Sequence, residues 1–360
     1  MRQRSRKIWV KHMTNGTSKQ EEKESETAPI GVLLCNTGSP SAPEPKCVRA
    51  YLAKFLNDPN IRPMNKVTWW VILHLFVFPK RAKTSAQKYK LIWTSEGSPF
   101  NIEHEKLREL LETELNEAGI NARVALGMNY SKPFIKDGLA KLYEQGCKPI
   151  VCLPLYPQSA FSTTRAVRDA FQKAKSALNN PTETKFVDTY SSNERYLSAV
   201  AASIKAAGFG MQPTDTLLCV FHSVPQNDID AGDTYEAEVH ATCSALAKQL
   251  QVAPEHFKFA YNCRFDKDRT WLSPSAKTVL AQIAANSNCG RVFLVCPNFA
   301  TDCLETHYDV KIVLKSFYEG ELQKTSKKPS ECTFTYIECL NGTQEHARVL
   351  AGVITEALKA

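Results

Sequence analysis

The chain has 360 residues, 43% hydrophobic, 9% aromatic and 23% charged, enough for two ordinary domains or one large one. A mean hydropathy of -0.31 excludes a polytopic membrane protein, and the apolar content excludes disorder over most of the length. The net charge of +8 sits in two acid-free segments, six bases in residues 1–20 and seven in 59–95, which leaves the rest net acidic; this argues against nucleic acid as a partner and for a membrane surface.

Residues 1–29 read as a disordered basic arm. It has no apolar core of a secretory signal, so it is a solvated tail or a mitochondrial presequence. The first reading leaves the protein in the cytoplasm and membrane-associated; the second sends it to the matrix side of the inner mitochondrial membrane. From Ile30 onward, short apolar runs alternate with helical periodicities. Strands are expected at Ile30–Cys35, Ala122–Leu126, Pro149–Leu155, Lys185–Tyr190, Thr216–Phe221, Phe257–Tyr261, Arg291–Cys296 and Thr333–Ile337. Strands apolar on both faces, each followed by a helix, predict parallel sheets covered on both sides. The expected fold is therefore α/β, with two Rossmann-like halves of about four strands each, residues 30–195 and 196–360, the second ending in a long helix.

Within the first half, residues 67–79 run Trp69-Trp70-Val71-Ile72-Leu73-His74-Leu75-Phe76-Val77-Phe78 between basic flanks. A core helix would explain the apolarity but not the missing acids. A lip lying on anionic lipid explains both. The twelve cysteines form no CxxC pair and read as small buried hydrophobes in a reducing compartment.

In open parallel sheets ligands bind beyond the carboxyl ends of the strands. Four such loops are chemically loaded: Asn36-Thr37-Gly38-Ser39-Pro40, Tyr156-Pro157-Gln158 with Ser162-Thr163-Thr164, His222-Ser223-Val224-Pro225, and Asn298 through Thr306. No GxGxxG or Walker pattern is present, which disfavours dinucleotides and nucleoside triphosphates. His222, closing an apolar strand, can accept protons or bind a metal, or simply be satisfied by backbone. Asp302 and Glu305 fit a helix N-cap with its N3 partner. With Asp309 they equally fit a line of carboxylates for protons or divalent cations.

The loops resemble those of ferrochelatases. The resemblance is carried by Gly31-Val-Leu-Leu-Cys-Asn-Thr-Gly-Ser-Pro40, Ser85-Ala86 with Tyr89, Ile92-Trp93 and Gly97-Ser98-Pro99, and Leu155-Tyr156-Pro157-Gln158. It continues in Phe221-His222-Ser223-Val224-Pro225, Trp271-Leu272, Cys296-Pro297, Asp302-Cys303-Leu304-Glu305-Thr306 and Leu340-Asn341. It implies a chelatase-like fold and a lyase of haem biosynthesis that inserts Fe2+ into protoporphyrin IX. The alternatives are a coproporphyrin enzyme or a non-catalytic porphyrin or haem carrier.

By the same resemblance His222 and Glu305 are the catalytic pair, and His222, Glu305 and Asp302 meet the metal. Thr37, Asn129, Tyr130, Tyr156, Ser162, Thr163, Ser223, Arg264, Trp271 and Phe299 contact the porphyrin. Two runs depart from the family: Gly127-Met128-Asn129-Tyr130 where it has G-M-R-Y, and Tyr261-Asn262-Cys263-Arg264-Phe265-Asp266 where it has Y-Q-S-R-F-G. No [2Fe-2S] cluster is expected, because Phe161 takes the first cysteine position after the LYPQ run and no cysteine follows Cys339. The subunit is monomeric or homodimeric.

Overall fold

The computed structural model describes residues 28–266, 268–286, 290–325 and 332–360; most of the basic arm, residues 1–27, lies outside them. Among the described residues eight strands form: β1 (Ile30–Asn36), β2 (Ala122–Met128), β3 (Ile150–Pro154), β4 (Thr184–Phe186), β5 (Thr216–His222), β6 (Phe257–Asn262), β7 (Val292–Val295) and β8 (Phe334–Ile337). They build two four-stranded sheets with the same spatial order, β2-β1-β3-β4 and β6-β5-β7-β8. Every named pairing is parallel. The expected α/β fold of two doubly covered halves is therefore the observed one.

Close helix-to-sheet packing in the first half depends on a glycine. A Cβ on Gly138, in the helix Ile135–Glu144, would stand 2.3 Å from the carbonyl oxygen of Leu126 on β2. Only hydrogen fits there.

The chain crosses between sheets through the helix Glu194–Ala206. The final helix, Gln344–Lys359, then returns to the first half and packs on the helix Pro99–Glu117, on Glu194–Ala206 and beside β3 and β4. Its buried stripe of Ala347, Leu350 and Ile354 belongs to one continuous core that also holds Leu107, Leu111, Val32, Leu217 and Cys219. Each fully buried Leu or Ile contributes about 1.5–3 kcal/mol of apolar burial. This helix fastens the two halves to each other.

The lip segment is helical throughout: Lys66–Ile72, a wider π-type turn Leu73–Val77, and Phe78–Ile92. Trp69, Leu73 and Phe78 are buried, spaced by four and then five residues, so the π turn keeps all three on the inner face. Val67, Trp70, Leu75 and Phe76 are exposed. Trp69 thus belongs to the core, where its indole N–H donates to the carbonyl of Leu56 at 2.6 Å; Trp70 is the tryptophan on the outer face. Among the described residues no helix is long and apolar enough to cross a membrane.

Candidate active site

The carboxyl ends of β1 and β5 face a common cleft, with the loops after β3 and β7 completing its walls. It has about 1140 Å³ of atom-free space, part of it open to solvent, and its lining is mostly apolar. His222 is the last residue of β5 and pairs in register with Asn262, the last residue of β6. Its backbone carbonyl accepts from the Tyr235 hydroxyl at 2.8 Å, which fixes the strand end. Glu305 opens a π-type helix, Glu305–Leu314, beyond β7.

These two side chains, 83 residues apart, meet: His222 Nδ1 lies 2.6 Å from Glu305 Oε2. The other carboxylate oxygen accepts from the Asn262 amide at 3.5 Å. Burial alone would lower the imidazole pKa, but the charge and hydrogen bond of Glu305 outweigh it and the net shift is upward. Burial likewise works against the Glu305 carboxylate, and His222 overrides it, holding the group below its ordinary value. Both directions describe an ion pair that forms when the imidazole is protonated; the neutral form is the one that can accept a proton. With Nδ1–H given to Glu305, Nε2 is the nitrogen left for a ligand. The imidazole is 44% exposed, toward the cleft, while Glu305 behind it is 11% exposed.

Of the expected porphyrin contacts, Thr37, Tyr156, Ser162, Thr163, Ser223, Trp271 and Phe299 all line this cleft with His222 and Glu305. Four expected site residues do not. Tyr130 is buried, with its hydroxyl donating to Asp58 and its ring edge-on to Phe55 at 5.2 Å, so it supports the wall from behind. Asn129 follows β2 outside the lining. Arg264 is exposed, and the cleft's guanidinium is that of Arg269, held by Asp266 at 2.7 Å and stacked 4.8 Å from Trp271.

Asp302 is the clearest correction. It is 1% exposed, and its carboxylate accepts from the Tyr336 hydroxyl at 2.5 Å, the Asn341 amide at 2.7 Å and the Cys339 N–H at 3.2 Å. Those three hydrogen bonds tie the loop after β7 to the region after β8 and hold the carboxylate outside the cleft lining. Nor does it cap the helix: Leu304 is the N-cap residue and no side chain bonds there. Asp309, one turn beyond Glu305, is paired with Lys88 at 2.8 Å.

Sequence reasoning missed Arg269 in the lining, and gave no site role to Tyr235 or to Asn298, although the loop that Asn298 opens was singled out. The buried Oδ1 of Asn298 has no hydrogen-bond partner in the protein, an acceptor waiting for a donor. It also missed Cys263, which joins His222 and Glu305 in the one metal-ligating group found among the described residues.

The family model for ferrochelatase matches residues 29–358. The ferrochelatase of Janthinobacterium sp. (strain Marseille) is 34% identical over 327 residues, 91% of this chain and 86% of that protein. That of Herminiimonas arsenicoxydans is 36% identical over 322 residues, 89% and 85% of the two chains. Among solved structures, SirB from Bacillus subtilis with Fe3+ superposes with a TM-score of 0.53 at 13% identity, covering 91% of this chain and 95% of its own, a likeness of fold. The relatives named are bacterial and lend no support to a mitochondrial presequence. The chain belongs to the ferrochelatase family, the metal chelatases that insert Fe2+ into a porphyrin to make haem.

Proposed function

We propose that His222 takes the pyrrole protons and that Glu305 holds the imidazole and draws the cation and the released protons through the cleft. The observation that carries this reading is the 2.6 Å contact between Nδ1 and Oε2, with the imidazole lining the cleft. Metallation consumes Fe2+ and a porphyrin bearing two N–H groups and yields haem and two protons. A base, a carboxylate behind it and a dry slot are what that balance asks for; a positioned base contributes about 10²–10⁴ in rate. Tyr156, Trp271 and Phe299 supply flat or aromatic walls that can grip the macrocycle and bend it, exposing nitrogen lone pairs.

The substrate we assign is protoporphyrin IX. Among the described residues lining the cleft, Arg269 is the only lysine or arginine. One cation suits two propionates far better than the four of coproporphyrin. The exposed apolar face of the lip supports delivery of this lipid-soluble porphyrin from an anionic membrane surface, and we place the protein in the cytoplasm on such a surface. In this reading Phe161, at the first cluster-cysteine position, leaves the chain without a [2Fe-2S] cluster. Anaerobic turnover of both porphyrins with Fe2+ tests the assignment. A higher kcat/KM for protoporphyrin IX is expected, and equal or better use of coproporphyrin overturns it.

A further inference from the structure

Cys263 differs from the cysteines of the core. Cys219 and Cys296 are fully enclosed in apolar cores. Cys263 sits one residue past β6, half-buried, and its sulfur accepts from the Asn262 amide at 3.3 Å. That same amide reaches Glu305 at 3.5 Å, so one side chain holds both the thiol and the carboxylate. Its backbone is left-handed, with φ at 61°, a conformation a non-glycine residue keeps when its surroundings impose it. The strain aims a cysteine at the ion pair.

The sulfur of Cys263, a nitrogen of His222 and a carboxylate oxygen of Glu305 lie within 4.8 Å of one another. Donors on a tetrahedral cation with metal–sulfur and metal–nitrogen bonds of ordinary length stand about 3.5 Å apart. Closing to that spacing takes about 1 Å of side-chain adjustment.

We propose that Cys263 is a third metal donor, making the entry site of this chain a sulfur–nitrogen–oxygen set that captures thiophilic divalent cations such as Co2+, Zn2+ and Cd2+. This deepens the reading of His222 and Glu305 given above and rests on it for the other two donors. Binding replaces the thiol proton: the S–H bond breaks, a metal–sulfur bond forms, and the proton leaves to water. No electron is transferred. Cys263 is not among the residues lining the cleft, so a cation held by all three sits at the edge of the porphyrin slot and passes on when sulfur releases it. Thiolate favours Zn2+ and Cd2+ over Fe2+, so the price of efficient capture is inhibition by soft metals.

The test is anaerobic titration of the full-length, porphyrin-free protein with Co2+ alone, read by absorption. The wild type should develop a sulfur-to-cobalt charge-transfer band in the near ultraviolet. Cys263→Ser should lose that band while keeping its circular dichroism and thermal midpoint. Cys303→Ser, which alters the cysteine that does line the cleft, should retain it. Cys263→Ala, read the same way, guards against a serine-specific effect. In turnover, Cys263→Ser should raise the Cd2+ concentration needed for half-inhibition by about tenfold or more. A wild type without the band, or a band that persists in Cys263→Ser, overturns the proposal. The underlying pair is tested separately, by loss of insertion in His222→Ala, so either idea can fail without the other.

Discussion

The two halves share one strand order, yet equivalent strand ends carry different chemistry. β1 ends in Asn36 and is followed by Thr37, where β5 ends in His222 and is followed by Ser223. β2 gives way to Asn129, where β6 gives way to Cys263. Tyr156 follows β3, and the loop after β7 leads to Glu305. The first half presents amides, hydroxyls and a phenol to the cleft; the second presents an imidazole and a carboxylate, with a thiol beside them. A shared architecture supplied matching positions, and the ionisable donors collected on one side of the slot. A flat substrate that must lose two protons to a metal needs that asymmetry: donors converge from one direction while the opposite wall only grips.

The sharpest way to break the comparison is to remove the base from the reactive side. His222→Ala should lower metal insertion by about 10²–10⁴ or more. Porphyrin binding, followed by fluorescence quenching, should survive, because the grip belongs largely to other walls. If binding and turnover fall together, the imidazole itself is part of the grip.

Glu305→Gln should come next, costing on the order of 10²-fold in kcat, since an amide can accept from Nδ1–H but carries neither charge nor proton. The mere capping role considered for this residue would have cost about 0.5–1 kcal/mol of helix stability and no activity. That role is already excluded by the contact with His222, so near-normal turnover would instead mean that the ion pair is structural.

How far the sequence revealed this arrangement differs by range of interaction. The eight strands are legible because apolar runs such as Val32 to Cys35 report burial on both faces directly. His222 is legible as a strand end, and the cleft follows from the parallel topology. Asp302 misled because a cap pattern is local, whereas its partners Tyr336 and Asn341 arrive from more than thirty residues away. Trp69 and Trp70 are indistinguishable by composition; the one that faces inward is decided by partners distant in sequence, Leu56 and Phe265. The return of the last helix to the first half was equally hidden, since an amphipathic stripe does not say what it packs on.

Two other histidines sharpen the contrast by being structural. His104, in the first half, contacts Asn36 through Nε2 at 3.0 Å and the Phe100 carbonyl through Nδ1 at 2.6 Å. His346, on the final helix, meets the Asn341 carbonyl at 2.7 Å. Burial drives both imidazoles from 6.5 down to about 4. A depressed histidine pKa means the unfolded chain binds more protons between those values. Stability should therefore be fully present above pH 6.5 and fall as pH drops toward 4, by roughly 3 kcal/mol per imidazole. Urea melts at pH 7 and pH 5 measure it, and His104→Gln should flatten the difference. An unchanged slope would show that His104 is not buried neutral.

The smallest expected effect concerns the lip, whose two faces repeat the division of labour within one helix. Trp70 and Phe76 are 53% and 70% exposed, and Trp69 is 5% exposed. Replacing Trp70 and Phe76 together with serine removes apolar surface that only a membrane would bury. Co-sedimentation with anionic vesicles should weaken severalfold, with the melting temperature nearly unchanged. Trp69→Ser should do the reverse: it empties a core site beside Leu56 and Phe265 and costs about 3–5 kcal/mol of stability. Added salt should weaken binding of the wild type as well, because the bases Lys66, Lys80 and Lys83 flank the apolar segment in a stretch of sequence without acids. If the outer-face double variant binds vesicles as tightly as the wild type, the exposed residues are not the membrane contact, and the basic flanks alone must carry any attraction.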